Sequence, residues 1–144
     1  MQAYPHIYMA AAQGDPAGPI AVSSAGLPTL TTAAPREFDG PGDRWSPEVL
    51  LCAAIADCFI LTFRAIAHAS KLQWLNLRCS VEGTLERADG GVQFTRFVTH
   101  AELTAPQGVD SERAKMLLEK AERTCLVSNS LRAARTLQAS VIPQ

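Results

Sequence analysis

The chain has 144 residues, 47% of them hydrophobic and 19% charged, with a formal net charge of -1 at pH 7. That length supplies one core and leaves no room for a separate cofactor domain, while the high apolar fraction and sparse charge exclude a disordered solvating tail. The scattered basic residues give no electrostatic footprint for nucleic acid.

The arm over 1–45 is rich in breakers. Seven of the nine prolines lie at or before Pro47, with five of the nine glycines. Short strands are predicted over Ile7–Ala12, Ile20–Ser24 and Thr29–Thr32, with a turn through Gly14-Asp15-Pro16 between the first two. No charged residue occurs from Pro16 to Pro35, so the arm is expected to lie against another surface, such as a second subunit. The first Lys or Arg is Arg36, so no charged leader precedes an apolar run, and a cytoplasmic location is expected.

Ser46-Pro47-Glu48 reads as a helix start: a hydroxyl to cap free N–H groups, a proline at the first helical position and a carboxylate at the positive end of the dipole. The helix is predicted to run to about Ser70. Its longest near-apolar run, Val49–Phe63, contains Asp57 and is short for a bilayer span of about 20 residues. Leu50, Leu51, Ile55, Phe59, Ile60, Leu61, Phe63 and Ile66 cover nearly every azimuth, so the helix must be enclosed on most sides. A homodimer would enclose it.

Alternation from Leu75 to Leu85 marks a half-buried strand, and Ala88-Asp89-Gly90-Gly91 turns it back into a strand over Val92–Thr104, with a bulge expected near Phe97 and Val98. Ala114, Leu117, Leu118, Ala121 and Cys125 line one face of a helix starting at Asp110 or Ser111. A third helix over Ser128–Arg135 and a last strand over Leu137–Ile142 complete an α+β chain. The organisation is one domain over 1–144, an N-terminal β arm over 1–45 and then helix, hairpin, two helices and strand over 46–144.

Four cysteines carry the chemistry. They are too few and too widely spaced for a disulfide scaffold, and no CxxC suggests zinc. Cys79 falls in the apolar phase of its strand and reads as core. Cys52 and Cys58 are six apart on one helix, about 120° in direction, so they do not share a face; position alone favours neither.

The run Ser46-Pro-Glu-Val-Leu-Leu-Cys-Ala-Ala-Ile-Ala-Asp-Cys58-Phe, with the later Cys125-Leu-Val-Ser-Asn-Ser-Leu131, resembles the OsmC/Ohr family of thiol peroxidases from about Gly40 to the C-terminus. The resemblance implies an intertwined homodimer in which antiparallel sheets shared between subunits surround long central helices. It also implies that Cys58 is the peroxidatic thiol, that Cys125 is the resolving thiol, and that Glu48 belongs to an Arg/Glu pair activating the first. Organic hydroperoxide would be the substrate and a dithiol or lipoyl protein the reductant, with no metal or organic cofactor.

Glu48 and Cys58 are ten residues apart on one helix, about 15 Å of rise, so the carboxylate must come from the other subunit. A mid-helix thiol in apolar surroundings also needs a cation to form a thiolate. The family places that Arg in an early strand, where this chain has none; Arg44, four residues before Glu48, is the substitute expected here, ahead of Arg36. Leu126 replaces the proline that usually follows the resolving cysteine. The alternative function, raised by the missing Arg, is a catalytically weak ligand-binding or thiol redox-sensing module. Asp57, about 100° round the helix from Cys58, is expected to meet solvent or a cation; His68 is too far along the helix to act as a base, and Trp45 and Trp74 read as anchors.

Overall fold

The computed structural model describes Met1–Gln144, which falls into two compact units, Met1–Leu50 and Leu51–Gln144. In the first, strands β1 (Ala11–Gln13), β2 (Ile20–Ser23) and β3 (Leu30–Thr32) form an antiparallel sheet in that order. The strand expected from Ile7 begins later, because β2 ends at Ser23 opposite Ala11 and offers no ladder partner to residues 7–10. Ser24 instead donates its hydroxyl to the Met9 carbonyl at 2.9 Å. Ala33 N–H donates to Trp45 O at 3.0 Å, which brings the chain back beside β3 at the approach to the long helix.

Helix α1 spans Pro47–Ala69. Ser46 is its cap: the hydroxyl accepts from Val49 N–H at 3.3 Å and the carbonyl from Leu50 N–H at 2.9 Å. The helix ends without glycine. Lys71 takes the left-handed conformation (φ 53°), and the Leu72 and Lys71 amides donate to Ala67 O and His68 O, so the final carbonyls are satisfied by a Schellman pattern. Arg113 adds a guanidinium hydrogen bond to Ser70 O. At 23 residues α1 is longer than the apolar run anticipated for it and passes the length and composition test for a membrane span. Its Phe59, Phe63 and Ala67, however, are buried in the protein's own core with Leu77, Leu103, Ala114 and Leu118. Val49, Ala54 and Leu61 remain exposed, the apolar azimuths that one chain does not cover.

Strands β4 (Asn76–Ala88) and β5 (Gly91–Ala105) form a long antiparallel hairpin closed by Asp89 and Gly90, both with positive φ. The bulge lies at Thr95, where the register shifts between Thr84 and Leu85, two residues before the expected place. Leu85 and Leu75, expected to face inward, are 36% and 56% exposed. Leu85 lies beyond the shift and Leu75 precedes the strand. Strand β6 (Ala134–Pro143) pairs with β5 in parallel, so this sheet is mixed and not wholly antiparallel as expected.

Helix α2 (Ser111–Thr124) is capped by Asp110, whose carboxylate accepts from Arg113 N–H at 3.0 Å, and it buries Ala114, Leu118 and Ala121. The third helix is shorter and earlier than expected: α3 is Leu126–Asn129. Turn hydrogen bonds from Ser130 and Leu131 close it, and the β5 ladder takes the backbone from Ala134 onward.

Candidate active site

Cys125 sits at a joint. It closes α2 and opens α3 in an extended conformation (φ -61°, ψ 115°), and its side chain is fully buried. Asn129 Nδ2 donates to Arg123 O at 3.2 Å, satisfying a terminal carbonyl of α2 and holding α3 against it. Ser128, also buried, donates to Cys125 Sγ at 3.4 Å.

The half-buried Cys58 lies on α1 with Thr62 Oγ1 3.9 Å from its sulfur, one helical turn on. Burial pushes its thiol up, but the backbone amides of Val127 and Leu126 and the side chains of Cys125 and Thr62 more than offset this, leaving Cys58 below the ordinary 9.0. Cys125 shifts the other way. Burial pushes it up, hydrogen bonds from the side chain and backbone of Ser128 oppose that, and Cys58 raises it further. The fold thus brings together two thiols that lie 67 positions apart in the sequence, one biased toward thiolate and one toward thiol. All the groups that lower Cys58 are uncharged.

The other two cysteines lie elsewhere. Cys52 packs at Gly83, where an added Cβ would stand 3.0 Å from its sulfur and 2.9 Å from Phe94 and Phe97, and burial raises its thiol. Cys79, read as core, is half-buried on β4; burial first, then the charges of Glu122 and Cys125, push it up to about 12.

Glu48 lies in the first turn of α1 with Oε2 buried and without a hydrogen-bond partner. Arg44 is exposed and lines a cavity of about 420 Å³ with Asp39, Asp43 and Gly40. No ion pair joins Arg44 to Glu48 within the chain. Asp57 and His68 are exposed, as is Trp45 at 46%, whereas Trp74 packs edge-to-face on Phe63 at 5.6 Å.

Thr62, the Leu126 and Val127 amides, and Ser128 as the partner of Cys125 were not anticipated from the sequence. The signal for two of them was present: Thr62 follows Cys58 by four residues and Ser128 follows Cys125 by three, both helical-turn spacings.

The model of the OsmC-like protein family matches residues 40–140, a span holding both thiols, Glu48 and Arg44. The chain belongs to the OsmC-like family. Among OsmC-like relatives, it is 32% identical over 115 residues to the organic hydroperoxide resistance protein of Xanthomonas axonopodis pv. citri, covering 78% of each. It is 27% identical over 92 residues to the peroxiredoxin OsmC of Escherichia coli, covering 64% of each. An organic hydroperoxide resistance protein OsmC from Legionella pneumophila superposes with a TM-score of 0.76 at 28% identity, covering 97% of this chain and 99% of that one. The α+β architecture with two sheets and three helices is therefore that of OsmC-like proteins.

Proposed function

We propose that this chain is a thiol-dependent peroxidase that reduces organic hydroperoxides through Cys58 and Cys125. The observation that carries the reading is the opposite shift of two adjoining thiols, Cys58 lowered and Cys125 raised. The names of the relatives, organic hydroperoxide resistance protein and peroxiredoxin, support it.

The Cys58 thiolate attacks the O–O bond. Sulfur takes the terminal oxygen as a sulfenic acid, and the alkoxide leaves as alcohol after protonation. Cys125 gives up its proton and attacks Cys58 Sγ; the S–O bond breaks, water leaves and a disulfide forms. A dithiol, free or carried by a lipoylated protein, then reduces the disulfide by exchange. The two sulfurs carry both electrons, so the cycle calls for no metal or organic cofactor.

The working unit is a homodimer, supported by the exposed apolar azimuths of α1. In it, Arg44 and Glu48 of one subunit serve Cys58 of the other, and the unpartnered, buried Glu48 Oε2 is the atom that arginine would meet. The proposed setting is cytoplasmic, where dithiol reductants are available.

The test is turnover. With dithiothreitol or dihydrolipoamide the protein is expected to consume cumene hydroperoxide, and Cys58→Ser to abolish consumption. Turnover that persists in Cys58→Ser contradicts the reading.

A further inference from the structure

Beneath Cys125, the helix-facing side of the second sheet carries a charge among apolar neighbours. The strands register in rows: Gly83, Phe97 and Arg135; Val81, Thr99 and Leu137; Cys79, Ala101 and Ala139. Phe97, Thr99 and Ala101 are buried, so Arg135 shares the face that packs beneath the helices. Its Nε lies 3.7 Å from Glu122 Oε1 of α2, with the side chains 24% and 12% exposed.

Both Glu122 oxygens and Arg135 Nη1 are cut off from solvent without a hydrogen-bond partner. The Thr99 hydroxyl lies near enough to act on Glu122 but outside hydrogen-bond geometry. Such a poorly satisfied pair regains little of its desolvation cost, so stability is not its evident contribution. Its position in the chain offers another. Glu122 precedes Cys125 by three residues and Arg135 is the second residue of β6, so the pair closes the base of the segment 123–134. That segment carries Cys125, its Ser128 partner and the amides that face Cys58. A third thiol is nearby: Cys79 lies within the field of both Glu122 and Cys125.

We propose that the Glu122–Arg135 ion pair is a positioning device for disulfide formation, holding the 123–134 segment so that Cys125 bonds Cys58 and not Cys79. The proposal rests on the reading of Cys58 and Cys125 as an exchanging pair. The guided step moves the Cys125 proton to the hydroxyl leaving Cys58, as S–S forms and S–O breaks. When the segment is loosened, Cys79 attacks Cys125 Sγ of the finished disulfide and gives up its proton to the departing Cys58 sulfur, forming Cys79–Cys125 and releasing Cys58 as a thiol, with no external reagent consumed.

The test follows Cys58 oxidation and disulfide closure separately in the full-length protein, after one equivalent of cumene hydroperoxide and, in parallel, diamide, which drives the same S–S bond by taking up two electrons and two protons. Glu122→Gln is expected to leave Cys58 oxidation at the wild-type rate, slow closure about 10- to 100-fold, and yield Cys79–Cys125 peptides on mapping. Arg135→Lys, which keeps the charge pair, is expected to close at nearly the wild-type rate. The double variant E122Q/R135Q leaves no buried charge unpaired and carries the same expectation if Glu122→Gln does not fold. Closure at the wild-type rate in the Gln variants, with Cys58–Cys125 as the sole product, overturns the proposal; so does an equal slowing of both steps. Wild-type protein inert to peroxide but closed by diamide instead counts against the peroxidase reading, and the diamide arm still decides this one.

Discussion

Cys58 and Cys125 act on each other with opposite sign: Cys125 lowers Cys58, while Cys58 raises Cys125. A charge on the half-buried Cys58 sulfur thus opposes ionisation of the fully buried Cys125. Alkylation followed by mass spectrometry at rising pH is expected to label Cys58 with a midpoint below 9.0 and Cys125 above it. Equal midpoints for the two would remove the asymmetry on which the order of the steps depends.

Ser128 donates to Cys125 Sγ inside the core. Ser128→Ala is expected to cost about 1 kcal/mol of stability in urea titration, the usual loss for one neutral hydrogen bond, and to raise Cys125 further. Disulfide closure should slow while Cys58 oxidation keeps its rate, as read by stopped-flow fluorescence and quenched alkylation.

Gly83 is held to glycine by crowding. A Cβ there meets Phe94 and Phe97, whose rings stack 5.0 Å apart, at 2.9 Å and Cys52 Sγ at 3.0 Å. Gly83→Ala is expected to destabilise by about 1–3 kcal/mol through overpacking. Chemical denaturation measures it, and an unchanged midpoint would mean that the rings move aside freely.

Cys79 should give a pH signature of its own. Its thiol is raised from 9.0 to about 12, so the folded state disfavours its ionisation. Its contribution to stability is fully present below pH 9.0 and is lost as pH rises toward about 12. Compared with Cys79→Ala, the wild-type protein is expected to lose more stability across that window, measured by urea unfolding at stepped pH.

The exposed apolar azimuths of α1 give a test of assembly. Leu61 is 51% exposed in the middle of a helix whose opposite stripe is core. Light scattering is expected to find a dimer for the wild-type protein and a shift toward monomer for Leu61→Glu.

Much of this was legible in local pattern. The Ser46 cap, the Asp89-Gly90 turn, the start of α2 beside Asp110 and the inward face of α2 each depend on residues a few positions apart, and all were found where the spacing put them. What escaped depends on distant partners. The late start of β1 is set by where β2 ends, and the short α3 by the pull of β5 on β6. For the candidate site, the helix spacing separated Cys52 from Cys58 without ranking them; the ranking came from the family motif. The amides that lower Cys58 arrive from α3, some 70 residues on, and no local pattern announces them. The ion pair behind Cys125 was equally silent, since Arg135 reads from the sequence as the end of the third helix, and only the pairing of β6 with β5 sets it on the inward face.

The most direct measurement is a single turnover: reduced protein, one equivalent of cumene hydroperoxide, acid quench and peptide mapping. The account expects a Cys58–Cys125 disulfide in the wild-type protein, a sulfenic acid trapped on Cys58 in Cys125→Ser, and no oxidation in Cys58→Ser. Peroxide reduced with Cys58 still a free thiol, or a first oxidation mapped to Cys125, would contradict it.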